Sequence, residues 1–413
     1  MKRLTILAIV AAPLLFLCCG KGQSDGGSDG PNEFKPIQLS ASQRSFVQQG
    51  NTFGMCFLSQ VAKSTADDFV ISPLSMQFLL GMVLNGAGGT TADEICSVLG
   101  YGAGDVAGVN AYCAKMLTSL PAIDKKTKLT LANAIVVDDG YSLLPAYMDS
   151  VRTYYDAMVD NLDFFDKAGS AAKINKWCSD HTEGLIPKVL EETDPDMLAY
   201  LLNALYFKSK WSEQFDKNAT RNLVFTREDN TSVYVPMMAQ VQDFPYQETS
   251  DFKAVRLPYG NGAFVMTVLL PLPGHKTSDI LSRLAASGLD GIHFEICHVD
   301  LQLPRFETRF GDFLNTILSA MGMPSAFSAT DADLSGMSPD AMRLSYVRQD
   351  AVIKVDEEGS EAAAVSSAAV EKNYAAAPGE NVVFHADHPF IYLISESSTG
   401  AILFAGRYSC KSK

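Results

Sequence analysis

The chain has 413 residues, of which 47% are hydrophobic and 19% are charged, so it can bury a large core and is not of the disordered class. Its formal net charge of −14 at pH 7 argues against nucleic acid or an anionic membrane surface as its partner.

The N-terminus reads as a targeting segment. Lys2 and Arg3 precede an apolar stretch at residues 4–17, which is too short to span a bilayer and is typical of a signal peptide. Cys18 and Cys19 end this stretch, and a polar, glycine-rich segment follows. This order resembles a bacterial lipoprotein signal, with Cys19 as the lipidated residue and Cys18 as the alternative.

We therefore predict a lipoprotein-type signal peptide at residues 1–19, a flexible tether at residues 20–36 and a single domain at residues 37–413. The protein is expected to be exported and lipid-anchored to a bacterial outer membrane or cell surface. The alternative is an ordinary cleaved signal with two incidental cysteines, which would give a secreted or periplasmic protein.

Six further cysteines show no C-x-x-C spacing, so they suggest neither a zinc site nor a redox pair. They are Cys56, Cys96, Cys113, Cys178, Cys297 and Cys410. Export permits disulfides, but we expect free, buried thiols in a domain of this size.

Three motifs predict helix starts in the first part of the domain. Ser40-x-x-Gln43 and Thr91-x-x-Glu94 have the spacing of capping boxes. Ser72-Pro73 places serine at a helix cap and proline in the first turn. It follows a short apolar strand at residues 69–71.

Strands and helices then alternate irregularly. We predict strands at residues 129–137, 159–165 and 198–208, and helices at residues 145–159 and 171–181. The strand at 198–208 is almost continuously apolar, which suits burial on both faces. Many strands are not separated by helices, which favours one α+β domain over a doubly wound sheet.

The segment from Lys354 to Tyr374 has an unusual composition. An acidic turn at residues 356–359 opens a run of small residues at 360–369. The even positions of this run are all small and uncharged: Ser360, Ala362, Ala364, Ser366, Ala368 and Val370. Glu361 and Glu371 fall on the odd face, so the segment could enter a sheet as a strand with its even face inward. A surface helix or a flexible linker is the alternative on composition alone.

The order of residues in this segment resembles the hinge of the serpins. The matching residues are Glu357, Glu358, Gly359, Ser360, Glu361, Ala362, Ala363 and Ala364. The C-terminal patterns Ala386-Asp387-His388-Pro389-Phe390 and Gly400-Ala401-Ile402-Leu403-Phe404-Ala405-Gly406-Arg407 resemble the closing strands of the same family. The resemblance implies a mixed central sheet, two further sheets, eight to nine helices and an exposed reactive-centre loop.

The resemblance also implies a polar cluster at which the central sheet opens. By motif it comprises Ser72, Ser75, Asn203, Trp211 and Gln349. The family often has histidine eight residues before the first hinge glutamate, where this chain has Gln349. Glutamine keeps the capacity to hydrogen bond with Asn203 but excludes a pH-sensitive histidine at that point.

The implied activity is inhibition of extracellular serine endopeptidases, with cysteine endopeptidases left open. A protease cleaves the loop and forms an acyl-enzyme, after which the loop inserts as a strand and traps it. Counting fourteen residues past Gly359 gives Asn373, and the reactive bond is expected within Val370, Glu371, Lys372, Asn373 and Tyr374, with Lys372-Asn373 favoured. The expected partner is one protease in covalent complex with a monomer. The alternative is a non-inhibitory surface binding module, against which the uncharged hinge argues.

Motifs of catalysis are not found in the sequence. There is no G-x-S-x-G, H-E-x-x-H or P-loop, so an enzyme is not predicted and no cofactor is expected. His293, Glu295, Cys297 and His298 form the one metal-like cluster in the sequence. In a strand they would not all share a face, so no metal site is predicted.

Overall fold

The computed structural model describes residues 32–289, 291–345, 347–360 and 382–411. These lie almost wholly in one compact unit, Glu33–Lys413. Phe34 packs against its core, so the unit begins ahead of Ile37, where the sequence predicted the end of the tether. The cysteines Cys18 and Cys19 lie outside the described residues. No helix in the described part of the chain is long and apolar enough to cross a membrane.

The described residues form eight α-helices. They are α1 (Ala41–Ser64), α2 (Pro73–Leu84), α3 (Gly89–Leu99), α4 (Val106–Ser119), α5 (Pro145–Tyr155), α6 (Lys167–His181), α7 (Thr277–Ser287) and α8 (Asn315–Met321).

Fifteen strands complete the described structure. They are β1 (Phe69–Ile71), β2 (Lys128–Asp138), β3 (Ala157–Leu162), β4 (Ala199–Lys210), β5 (Arg221–Thr226), β6 (Ser232–Glu248), β7 (Phe252–Tyr259), β8 (Phe264–Pro271), β9 (Glu295–Pro304), β10 (Phe306–Phe313), β11 (Arg348–Val355), β12 (Gly359–Ser360), β13 (Val382–His385), β14 (Phe390–Glu396) and β15 (Ile402–Tyr408).

The central sheet has six strands in the order β10-β11-β12-β4-β2-β3. β2 and β3 are parallel, and the other neighbours are antiparallel. A small cluster that includes Phe164, Ile174 and Tyr200 packs on one face together with α6. The other face covers the main core, where Phe207 and Leu205 of β4 are buried.

The other nine strands form one hydrogen-bonded sheet, ordered β1-β15-β14-β8-β7-β6-β9-β13 with β5 beside β6. β6 has 17 residues and pairs with β5, β7 and β9. The two further sheets predicted from the sequence are therefore joined through β6, which is long enough to belong to both. The prediction of a single α+β domain with a mixed sheet is confirmed.

Two of the predicted helix starts are found and one is wrong. Ser40 closes a capping box with Gln43, and the Ser72 side chain caps α2. α3 instead begins at Gly89 after Gly88, ahead of Thr91. The Thr91 hydroxyl accepts a hydrogen bond from the Asp333 amide at 3.0 Å, and Glu94 accepts one from the Ser325 amide at 2.9 Å. Partners from a distant part of the chain therefore occupy both side chains of the expected box.

The boundary between α5 and β3 also differs from the prediction. α5 ends at Tyr155 because Asp156 adopts a left-handed conformation with φ of 48°. β3 therefore starts at Ala157, two residues earlier than expected. Such a conformation is tolerated by aspartate, which is one of the few residue types that visits it readily.

The six cysteines of the domain are free thiols. Cys96, Cys113 and Cys178 are buried, and the other three are half-buried. Burial raises the pKa of the Cys178 thiol to about 12, so this thiol is unreactive in the folded protein.

Candidate functional site

The acidic turn places the start of the small-residue run inside the central sheet. Ser360 of β12 pairs with Val355 of β11 on one side and with Ser209 of β4 on the other. Within the described residues, no ladder joins β11 directly to β4. The two residues of β12 therefore provide the hydrogen-bonded connection between β11 and β4 in the described part of the sheet. Of the predicted hinge, Glu361, Ala362, Ala363 and Ala364 lie outside the described residues, as does the reactive-bond window at 370–374.

The turn itself is closed by its own backbone. The Asp356 amide donates to the Gly359 carbonyl at 2.9 Å, and the Asp356 carboxylate accepts from the Glu358 amide at 2.8 Å. Gly359 is required by close approach, because a Cβ there would lie 2.0 Å from the carbonyl oxygen of Ser209. Its φ of 156° is also one that other residues rarely adopt.

Trp211 holds the turn from the end of β4. Its amide donates to the Glu358 carbonyl at 2.8 Å, and its indole Nε1 donates to the Asp356 carbonyl at 2.8 Å. The indole stacks on the ring of Tyr259 with centroids 4.2 Å apart. Trp211, which was predicted to belong to the sheet-opening cluster, therefore contacts the acidic turn.

Ser360 is buried and bonded to the main core. It is 1% exposed, and its hydroxyl lies 2.7 Å from the hydroxyl of the fully buried Tyr259. Burial raises the pKa of Tyr259 well above its ordinary value, against the hydrogen bond with Ser360, which lowers it. Ser360 therefore lies beside a tyrosine hydroxyl whose neutral form is favoured by burial.

The two hinge glutamates are fixed by cations from outside the turn. Glu357, whose side chain is 3% exposed, accepts from Arg305 at 2.5 Å and from the Thr220 hydroxyl at 2.6 Å. Burial alone would raise the pKa of Glu357, but the bonds from Arg305 and Thr220 bring it below its usual value. Glu358 accepts from Lys217 and thereby raises the pKa of that lysine.

The other residues of the predicted sheet-opening cluster form two separate hydrogen-bonded groups. Gln349 accepts from the Ser72 amide at 3.0 Å and donates to the Ser72 carbonyl at 2.9 Å. The Ser72 hydroxyl accepts from the Ser75 amide at 3.2 Å. Asn203 instead donates to Asn133 at 2.7 Å.

The expected hydrogen bond between Gln349 and Asn203 is therefore not present in the structure. The side-chain amide of Gln349 is hydrogen-bonded to the Ser72 backbone, and the amide nitrogen of Asn203 donates to Asn133. In the described part of the chain, the Asn203 Oδ1 is buried with no hydrogen-bond partner. Gln349 thus ties β11 to the start of α2 rather than to β4.

A family model described as "Serpin (serine protease inhibitor)" matches residues 48–410. The chain belongs to the serpin family. Serpins are in general protease inhibitors and not catalytic enzymes.

Proteins with sequences similar to this serpin come from different organisms. Serine protease inhibitor 42Dd of Drosophila melanogaster is 34% identical, over 83% of this chain and 91% of that protein. An uncharacterised serpin-like protein of Thermococcus kodakarensis is 30% identical, over 98% of each chain.

Solved structures agree on the fold. Serpin48 of the insect Tenebrio molitor, described as a highly specific serpin, superposes with a TM-score of 0.80 at 28% identity, over 91% of this chain and all of that one. Human thyroxine-binding globulin in complex with thyroxine superposes with a TM-score of 0.79 at 25% identity, over 90% of this chain and all of that one. A highly specific serpin and a globulin that binds thyroxine thus share this fold.

Several residues that build the hinge were not singled out from the sequence. Arg305 and Tyr259 follow the short sequences Leu303-Pro304 and Leu257-Pro258, which carry no information on the partners of either side chain. Thr220, Lys217 and Asn133 have no sequence signal, because they reach the site only through folding.

The described residues include a cluster of carboxylates close enough together to hold a cation. Among the described residues, Asp138, Asp139 and Asp163 are the one group whose ligand atoms lie within 4.8 Å of one another. Both Asp138 oxygens already accept backbone hydrogen bonds, from Gly140 and Phe164. The cluster suggested by the sequence around His293 does not come together, and His298 pairs with Asp243 at 2.8 Å.

Proposed function

We propose that this serpin is a suicide inhibitor of extracellular serine endopeptidases, with cysteine endopeptidases as a second target class. One observation carries the proposal: β12 lies between β11 and β4 with its small residue Ser360 already buried. The native hinge therefore starts a strand that the following residues can extend.

The residues after Ser360 suit that extension. Insertion of residues 360–370 would add eleven residues, or roughly 35 Å of strand at about 3.3 Å each. Each inward position is a small, uncharged residue, so no unpaired charge is buried, which would be costly. β4 and β11 offer backbone groups on both sides of the new strand, so each added rung gains hydrogen bonds in the sheet.

The reactive bond is expected within Val370, Glu371, Lys372, Asn373 and Tyr374, with Lys372-Asn373 favoured. Lys372 suits trypsin-like enzymes, Tyr374 chymotrypsin-like enzymes and Val370 elastase-like enzymes. The inhibitor acts as a monomer and forms a covalent complex with one protease. It needs no cofactor, because the acyl-enzyme is formed by the catalytic machinery of the protease.

The second candidate is a non-inhibitory serpin that binds a ligand at the cell surface. The structural similarity to thyroxine-binding globulin supports a ligand-binding serpin as the second candidate. Limited proteolysis within residues 361–381 separates the two. An inserting serpin gains a strand on cleavage, so its thermal midpoint should rise strongly. A cleaved protein whose thermal midpoint stays at the native value would contradict insertion.

We further propose that the inhibitor is exported and held at a bacterial membrane by a lipid on Cys19. The lysine-arginine start, the apolar stretch and the glycine-rich tether support this reading. Cys19→Ser should move the protein from the membrane fraction to the soluble fraction, whereas Cys18→Ser should leave it bound. If Cys18→Ser alone released the protein, Cys18 and not Cys19 would be the lipidated residue. If both variants stayed bound to the membrane, the lipid anchor would be contradicted.

A further inference from the structure

An open pocket of about 210 Å³ lies where the turn between β5 and β6 meets the start of α7. Arg227 and Glu228 line it from the turn, and Lys276 and Thr277 line it from the start of the helix. Pro389, which is buried just before β14, forms part of its apolar wall. An engineered cavity of about 150 Å³ binds benzene, so this pocket has room for a small ligand.

Thr277 brings a buried hydroxyl without a partner to the wall of this pocket. The residue is 3% exposed. Its hydroxyl makes no hydrogen bond to any residue that the structure describes. Buried polar groups in native proteins are almost always hydrogen-bonded, and each exception requires an explanation. A ligand oxygen in the pocket would supply the missing bond.

The backbone at the start of α7 offers two more donors. This helix of 11 residues begins at Thr277, and its N-cap residue Lys276 provides no side-chain cap. The Asp279 carboxylate is turned back onto the Lys276 amide, from which it accepts at 2.9 Å. In the part of the chain that the structure describes, the amides of Thr277 and Ser278 donate to no acceptor. Free amides at a helix N-terminus, where the helix dipole is positive, favour an anion.

Two cations lie beside these donors, although the chain carries a net charge of −14. The Lys276 ammonium is 3.8 Å from the Glu228 carboxylate, which is too far for a hydrogen bond. Nε of Arg227 donates to the Cys410 carbonyl at 2.9 Å. The terminal nitrogens of Arg227 form no hydrogen bond or ion pair with the described residues. Both cations can therefore bind a ligand without losing a hydrogen bond.

We propose that this pocket binds the phosphate group of a small phosphate monoester. Such a group carries about −1.5 to −2 charges at pH 7 and has three oxygens that accept strong hydrogen bonds. The hydroxyl and amide of Thr277 and the amide of Ser278 donate to these oxygens. Lys276 and Arg227 neutralise the charge, as these residue types do at other phosphate sites. The ester group lies against the apolar wall at Pro389.

A carboxylate matches the pocket less well than a phosphate. It has two acceptor oxygens and a single charge, whereas the pocket offers three uncharged donors and two cations. The pocket shares no residue with the hinge, so this inference is independent of the proposed inhibitory function.

The test is calorimetric titration of the purified protein with inorganic phosphate and with phenyl phosphate, at an ionic strength held constant with sodium chloride. Acetate is the comparison ligand, because it offers a carboxylate in place of a phosphate. Lys276→Met removes one cation, and Thr277→Val removes the hydroxyl while keeping the shape of the side chain. Lys63→Met is the matched control, since Lys63 is exposed at the end of α1.

The parent should bind one phosphate, and it should bind phenyl phosphate more tightly than inorganic phosphate. Lys276→Met and Thr277→Val should each weaken binding by about tenfold, because a hydrogen bond to a charged group is worth at least about that factor. Glu228→Gln should tighten binding, since this carboxylate competes for Lys276. Lys63→Met should bind like the parent. In chloride alone, Thr277→Val should unfold in urea at the midpoint of the parent, because its hydroxyl has no partner to lose.

Three results would overturn the inference. A parent that binds no phosphate at millimolar concentration has no such site. Binding that Lys276→Met and Thr277→Val leave unchanged places the anion elsewhere on the protein. Acetate binding as tight as that of phosphate removes the assignment to a phosphate group. If Thr277→Val folds poorly, Lys276→Met decides alone, because Lys276 is exposed and its substitution disturbs no buried packing.

Discussion

The hydroxyl groups of Ser360 and Tyr259 lie 2.7 Å apart in the buried interior of the protein. Tyr259 in turn stacks on Trp211, which binds the carbonyls of Asp356 and Glu358. Ser360, the first residue of the small-residue run, is therefore part of the buried core. On the proposed function, this fixed residue is the point from which the inserted strand extends.

Ser360→Arg should convert the inhibitor into a substrate. An arginine cannot occupy the 1%-exposed position beside Tyr259 without an unpaired buried charge, so the hinge would leave the sheet. On denaturing gels with a protease that the parent traps, this variant should give cleaved protein and little covalent complex. Ser360→Ala loses one buried hydrogen bond, worth about 1 kcal/mol, and should still trap the protease. An unchanged yield of complex in Ser360→Arg would rule out insertion from this hinge.

Gly359→Ala should destabilise the native protein. The added Cβ would lie 2.0 Å from the Ser209 carbonyl oxygen, so β12 would have to separate from β4. We expect a loss of about 2 kcal/mol or more in the free energy of unfolding, measured in urea. Gly104→Ala is the control, because a Cβ there meets nothing within 4 Å. Equal stabilities of the two variants would contradict the close packing of β12 on β4.

Glu357→Gln should cost about 2 kcal/mol at neutral pH, because it removes the ionic bond to Arg305 and weakens that to Thr220. The pKa of Glu357 is lowered in the folded protein from its ordinary 4.5. Its contribution to stability is therefore complete above pH 4.5 and is lost as the pH falls through the folded value. Urea titrations should show the gap between parent and variant closing on acidification. A gap that persists at low pH would exclude a charged Glu357 as its origin.

His388 should contribute stability with the opposite pH dependence. Its Nδ1 faces the Asp387 carboxylate at 2.7 Å and its Nε2 faces the Pro271 carbonyl at 2.9 Å, so both nitrogens must donate. Burial lowers the pKa of His388, but these two acceptors outweigh it and raise the pKa above 6.5. The stabilisation is present below pH 6.5 and is lost as the pH rises through the folded value. The urea midpoints of parent and His388→Gln should converge at alkaline pH, and a constant difference would contradict this.

Gln349→Met and Asn203→Leu should differ, although both remove an amide from the same region. Gln349→Met leaves the buried amide of Ser72 unpaired and leaves the Ser72 carbonyl with the Met76 amide at 3.2 Å as its donor, which should cost about 1–3 kcal/mol. Asn203→Leu takes the donor from the buried Asn133 Oδ1, but it also removes the buried Asn203 Oδ1, which has no partner, so its cost should be smaller. The free energies of unfolding in urea decide the comparison. A larger loss in Asn203→Leu would contradict the hydrogen-bond pattern described here.

The features predicted correctly from the sequence are those written in local patterns. The cap of α2 at Ser72 depends on residues within one helical turn, and the start of the hinge strand depends on an unbroken motif. The capping box expected at Thr91 failed because Asp333 and Ser325, far along the chain, use the same side chains. Local spacing carries no information on such distant competitors.

The same limit applies to the site. The Gln349–Asn203 contact was expected from a family pattern, but Asn133, which had no motif of its own, takes the Asn203 amide. The cations that hold the hinge glutamates, Arg305 and Lys217, come from different parts of the chain and meet the turn only after folding. Pairing of charges across the fold is what the sequence leaves open.

The most direct test of protease trapping by loop insertion is to mix the purified domain with trypsin, chymotrypsin and elastase separately and to run denaturing gels. For a target enzyme we expect a band at the summed mass of this serpin and the protease. We also expect a released C-terminal peptide that begins near Asn373 or Tyr374. Cleavage between residues 370 and 374 by these enzymes with no band of summed mass, and with no rise in the thermal midpoint of the cleaved protein, would contradict trapping by loop insertion.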